Sequence, residues 1–104
     1  MAQFDVFENP IPRARTAFPF VIVLQSDLAD TGRERIVAPL VSRGALPAAA
    51  GRLMPVVRVG DREYVLAVPS LTALAAADLK RPVTNLEMHR DTITAALDFL
   101  FQGI

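Results

Sequence analysis

The stretch Met54-Pro55-Val56-Val57-Arg58-Val59-Gly60-Asp61-Arg62-Glu63-Tyr64-Val65-Leu66-Ala67-Val68 decides the fold. Two β-branched runs flank Gly60-Asp61, a two-residue hairpin signal. Such a loop sets Val59 opposite Arg62, Arg58 opposite Glu63 and Val57 opposite Tyr64. The register predicts an Arg58–Glu63 ion pair on one face and a branched–aromatic pair on the other, contributing roughly 0.2 to 1 kcal/mol each.

Toward the N-terminus, Phe18-Pro19-Phe20-Val21-Ile22-Val23-Leu24 is continuously apolar and short, which predicts a strand buried on both faces with Pro19 at its start. Gln25-Ser26-Asp27 turns polar, and Asp30-Thr31-Gly32 reads as a turn in which Gly32 can take a positive φ. A further strand is expected from Arg35 to Val41, with Pro39 near its end or at an edge. Phe4 to Phe7 reads as the first strand, stopped by Glu8-Asn9-Pro10-Ile11-Pro12. The loop continues through Arg13 and Arg15 to Thr16; its two arginines are either an electrostatic contact for an acidic partner or merely solvated.

Toward the C-terminus, Ser42 to Gly51 is an alanine-rich connection with room for one helical turn. Leu71 to Ala77 has helical propensity but is fenced by Pro69 and Pro82, so it reads equally as a short helix or irregular edge structure. From about Asn85, Leu86, Ile93, Leu97, Leu100 and Ile104 fall on one stripe of an amphipathic helix. Thr84 and Glu87 fit a capping box, Asn85 is a rival cap, and Glu87 and Asp91 suit the positive end of the helix dipole. The apolar stop at Phe101-Gln102-Gly103-Ile104 suggests a terminus that is docked or used. Strands in meander followed by one helix predict a mainly β fold, a small bent antiparallel sheet or partial barrel with the helix packed at its end.

The 104 residues make one domain, 1–104, around a single core. Eleven basic and eleven acidic residues cancel, which argues against a nucleic-acid or membrane-surface role for the chain as a whole. Absence of cysteine removes disulfide and thiolate chemistry and suits the cytoplasm. The start Met1-Ala2-Gln3-Phe4-Asp5 lacks the features of an export signal, and the Phe18–Leu24 run is too short to span a bilayer. A hydrophobic fraction of 52% exceeds what one small core can bury, so a subunit interface is the simplest outlet.

His89 is the sole histidine, and Ser26, Ser42 and Ser70 lack a nucleophile-elbow context. No ligand pair has metal spacing, and Gly60 and Gly103 belong to a turn and a terminus rather than a phosphate loop. The residues therefore predict a binding module without catalysis, metal or cofactor.

Leu24-Gln25-Ser26-Asp27, Arg35-Ile36-Val37-Ala38-Pro39-Leu40, Leu53-Met54-Pro55-Val56-Val57-Arg58-Val59-Gly60-Asp61 and the ending Phe101-Gln102-Gly103-Ile104 together resemble the CcdB toxin family. Order, spacing and length agree over nearly the whole chain; Ser42 to Arg52 and Pro69 to Val83 match poorly. The resemblance implies an SH3-like barrel of the CcdB/MazF type with a C-terminal helix, forming a homodimer in the bacterial cytoplasm. It implies a labile CcdA-like antitoxin whose disordered segment folds onto the toxin, and a non-enzymatic poison of DNA gyrase that binds gyrase A through the helix tips. The matching residues are Gln102, Gly103 and Ile104. Leu100 and Phe101 are the expected dimer contacts, and Arg13 and Arg15 the expected antitoxin contacts. The position before Gly-Ile is usually tryptophan in the family, where a pair of rings clamps a gyrase arginine; here it is Gln102, which offers an amide hydrogen bond but no π face. Two alternatives stay open: the same fold aimed at a different target, and a MazF-like ribonuclease, which would need a basic RNA groove and a catalytic arginine with an acid or base partner.

Overall fold

A computed structural model of the chain describes residues 1–29, 32–45 and 51–103. Its strands are β1 (Asp5–Glu8), β2 (Phe20–Val23), β3 (Glu34–Ser42), β4 (Val56–Val59), β5 (Arg62–Leu66), β6 (Thr72–Ala75) and β7 (Pro82–Asn85), followed by one α-helix, α1 (Arg90–Gln102). All pairings are antiparallel, in the order β4-β5-β3-β2-β1-β7 with β6 also on β3, giving a half-barrel sheet with the helix at its end.

The β4–β5 hairpin has the register that its Gly60-Asp61 turn demands: Val59 opposite Arg62, Arg58 opposite Glu63, Val57 opposite Tyr64. Gly60 takes φ +65°, the left-handed conformation that glycine adopts without a Cβ penalty. Val57 and Tyr64 are buried together, and Phe20 meets the Tyr64 ring edge-on at 5.4 Å. The expected Arg58–Glu63 ion pair is replaced by another: Glu63 accepts from Arg43 Nη1 at 2.9 Å, because the turn at Arg43–Ala45 brings that arginine back over β5.

The apolar run in β2 is buried on both faces, as its unbroken hydrophobicity predicts. Ile22 lies between Val6 and Ala38 on the face covered by α1, where Leu66, Leu86, Ile93 and Ala96 complete the core. Val21 and Val23 lie on the opposite face with Phe7, Val37 and Leu79. This second cluster is what lets the sheet absorb so many apolar side chains.

Pro39 sits inside a strand flanked on both sides, not at an end or edge. The partner of β3 changes there: Glu34–Val37 pairs with β6 and Leu40–Ser42 with β5, while Pro39 O accepts from Ala67 N at 3.0 Å. A residue's N–H and C=O share one edge of a strand, so the missing N–H of Pro39 would point into this changeover, where no ladder bond is lost.

The proline-fenced segment resolves into β6 and β7 separated by a 3-10 turn at Ala76–Asp78 rather than into a helix. Edge pairing to β3 and β1 outweighs the helical propensity of its alanines. At the helix start the Thr84–Glu87 capping box does not form. Asn85 Oδ1 instead accepts from Glu87 N at 2.8 Å, opening a 3-10 turn at Glu87–His89, and α1 begins after it. Leu86 therefore serves the core from the turn, outside the helix. Residues 30 and 31 of the expected Asp30-Thr31-Gly32 turn lie outside the described residues; Gly32 itself has φ +78°.

Candidate functional site

The last turn of α1 is built by three local facts. Ile93 and Ala96 are buried, and Leu97 and Leu100 pack on the same core, which anchors one side of the helix. Gly103 takes φ +75° and donates its N–H to Phe99 O at 3.0 Å, so the helix stops in a left-handed cap. Gln102 follows Ile93 by about two and a half turns, which places it about 180° around the helix from the buried side. It is the last helical residue and is exposed. Phe99 and Phe101 fall on opposite flanks of the buried stripe.

The two aromatic flanks differ. Phe99 is half-buried, with the Arg52 guanidinium 4.4 Å above its ring. Phe101 is 69% exposed and borders an open, mostly apolar groove floored by Leu24, Ile36, Leu71 and Leu97 and rimmed by Gln25 and Ser26. Leu28, in the adjoining loop, is 98% exposed. Of the two expected contact residues, Leu100 is turned toward its own core and Phe101 outward. Ile104 lies outside the described residues.

A second apolar groove lies across the sheet, between the 9–18 loop and β6. Ile11, Ala14 and Phe18 form one wall, Val21, Val37 and Pro39 the floor, and Thr72 and Leu74 the other wall. Sequence reasoning missed this groove, because the wall contributed by β6 was left unassigned. The loop itself is ordered by Asn9, a buried side chain that donates Nδ2 to Phe18 O at 2.9 Å and accepts from Ile11 N at 3.0 Å. The arginines of the loop diverge. Arg13 is exposed, whereas Arg15 donates Nε to Asn9 O at 2.6 Å and pairs with Glu8 at 3.3 Å, lining a charged recess with Asp78, Lys80 and Arg81. Arg15 is thus part of the loop's own architecture.

The start of α1 is an electrostatic knot. Arg90 bonds Glu87 through both prongs at 2.7 Å and lies 4.9 Å over the ring of Phe4. That two-pronged hydrogen bond holds the Glu87 carboxyl below its ordinary pKa and raises that of Arg90. Phe4 is buried at φ +70°, held between Val23 O and Leu86 N. Asp5 accepts from Ala2 N and Asn85 Nδ2, and Gln3 N donates to Asp27. His89 sits in the same region with its Nε2 enclosed and without a hydrogen-bond partner among the described residues. Ser26, Ser42 and Ser70 have no hydrogen bond to it there. Among the described residues no group of three His, Cys, Asp or Glu side chains could hold a metal ion, and no helix is long and apolar enough to cross a membrane.

A family model described as CcdB protein matches residues 3–103. The match spans the hairpin, both grooves and the described helix tip. It accords with the antiparallel half-barrel and single helix at its end. The chain belongs to the CcdB family and is a toxin of a toxin–antitoxin system.

Proposed function

We propose that this toxin works by binding, without turnover, to a type II topoisomerase of the gyrase class, gyrase A being the polypeptide engaged. It acts as a two-fold dimer in the bacterial cytoplasm and is restrained by a CcdA-like antitoxin. The observation that carries the reading is the tip of α1: Phe101 is exposed beside an apolar groove while Gln102 points directly away from the core. Phe101 and Leu28 are large apolar side chains left uncovered in the single chain, and pairing two tips would bury them. In this arrangement Leu100 supports the interface from beneath and Phe101 makes it. Gln102, Gly103 and Ile104 then meet the target.

The 9–18 loop and its groove suit an antitoxin segment with apolar anchors and acidic residues. Ile11 and Phe18 would receive the anchors and Arg13 a carboxylate, with Arg15 contributing from the neighbouring charged recess. Such a segment folds as it binds.

Purified protein incubated with gyrase, plasmid and ATP should trap linear DNA, and should leave a structured RNA intact in a parallel reaction. RNA cleavage would transfer the chain to the ribonuclease reading. One observation favours a second reading, in which the fold and antitoxin are kept and the target differs. Gln102 stands where the family has an aromatic ring, so an arginine of the target loses the π face that would contribute about 0.5 to 2 kcal/mol.

A further inference from the structure

The last turn of α1 contains no basic residue, although three backbone carbonyls and Asp98 gather negative charge there. The missing cation comes from another part of the chain. Residues 51–54 form a tight turn between the long connection and β4, closed by Gly51 N donating to Met54 O at 3.1 Å. Arg52, at the apex of this turn, places its guanidinium 4.4 Å over the ring of Phe99. It makes no ion pair among the described residues. Phe99 is also the residue whose carbonyl accepts the Gly103 N–H that ends the helix. One contact thus covers the flank opposite Phe101, sets a positive charge at the negative end of the dipole, and bears on the residue that closes the cap.

We propose that Arg52 is a positioning residue for the tip of α1, fixing the rotation of the last turn so that Phe101 and Gln102 face outward in one orientation. Core packing through Leu97 and Leu100 holds only one side of that turn. Helix ends fray when nothing else restrains them, and a frayed tip must be ordered again at each encounter with a partner. Arg52 removes that loss in advance. The consequence for target binding rests on the proposed function, while the ordering of the tip does not.

The test compares wild type with Arg52→Ala, Arg52→Lys and Phe99→Leu, each isotopically labelled. Three readouts are taken: amide hydrogen exchange at Gly103, the ring-current shift on the Arg52 side-chain protons, and affinity for gyrase A. In Arg52→Ala the Gly103 amide should exchange about two- to fivefold faster, the fold-change matching an exposed cation–π contact. Amides of Ile93 and Ala96 and the thermal midpoint should stay as in wild type, and gyrase affinity should fall by a similar factor. Arg52→Lys, which keeps the charge and loses the planar stack, should lie between. Phe99→Leu should abolish the ring-current shift and reproduce the faster Gly103 exchange even if Arg52→Ala does not fold. Unchanged Gly103 exchange in both Arg52→Ala and Phe99→Leu would overturn the positioning role. A wild-type protein that binds no gyrase, with the tip still freed in Arg52→Ala, would overturn the proposed target and leave the positioning role standing.

Discussion

Asn9 holds more backbone than any other polar side chain near the second groove. Its amide bonds Phe18 O and Ile11 N, and its own backbone O takes the Arg15 Nε, so one buried residue closes the loop that carries Ile11, Arg13 and Phe18. Asn9→Ala removes both side-chain hydrogen bonds and, at roughly 0.5 to 1.5 kcal/mol for each, should destabilise the protein by about 1 to 3 kcal/mol in urea unfolding, with antitoxin-peptide affinity falling as the groove loses its wall. Arg13→Ala should leave stability within about 0.5 kcal/mol of wild type, since it is an exposed side chain away from caps and core, while still weakening the peptide. Glu87 gives a prediction in pH. Its carboxyl titrates below the unfolded value of 4.5 because Arg90 bonds it, so its contribution is present above that value and is lost as the pH falls through the lowered folded value. The stability difference between wild type and Glu87→Gln should therefore be constant above about pH 5.5 and shrink below the ordinary carboxylate range. A difference that grew in acid would contradict the Arg90 contact.

Among the elements, the β4–β5 hairpin has the most sharply defined geometry, and its turn depends on Gly60 at φ +65°. Gly60→Ala forces a Cβ into the left-handed region and should cost about 1 to 2 kcal/mol, whereas Gly51→Ala, where no positive φ is required and nothing lies within 4 Å of the added carbon, should be neutral or slightly stabilising. Equal melting temperatures for the two variants would contradict the turn. The hairpin was legible because a two-residue loop leaves one register, and β2 because an unbroken apolar run leaves neither face of Phe20–Val23 polar. Pro39 was misplaced because a strand that changes partners midway leaves no local signal; only the ladder shows where an N–H is dispensable. The expected Arg58–Glu63 ion pair failed for a related reason: register places Arg58 across from Glu63, but an exposed arginine goes where a loop lets it reach, and the Arg43–Ala45 turn offers Glu63 the better approach. In Leu71–Ala77, which read equally as helix or edge structure, the helical alternative lost to the pairing of β6 with β3. The Phe101 side of the candidate tip could be read from helical periodicity, while the Arg52 cover on Phe99 could not, since it joins residues far apart in sequence.

At the scale of the whole molecule, two hydrophobic clusters on opposite faces of one sheet bury much of the apolar excess, yet Leu28, Phe101 and Ile11 stay uncovered. Light scattering at micromolar concentration should give twice the monomer mass, and Phe101→Asp should return it to one; a wild-type monomer would remove paired tips from the account. In the proposed function the end of α1 is the surface that meets a topoisomerase. If so, Gln102→Trp restores a π face on a tip already oriented by Gly103 and Arg52, and an added contact of about 1.4 kcal/mol corresponds to tenfold in affinity. The decisive measurement is the concentration of wild type and of Gln102→Trp, both verified as folded dimers, required to trap linear plasmid with purified gyrase. Both proteins should trap linear DNA, with the tryptophan variant effective at about one tenth the concentration or less; no trapping by either would show that the end of α1 does not engage gyrase.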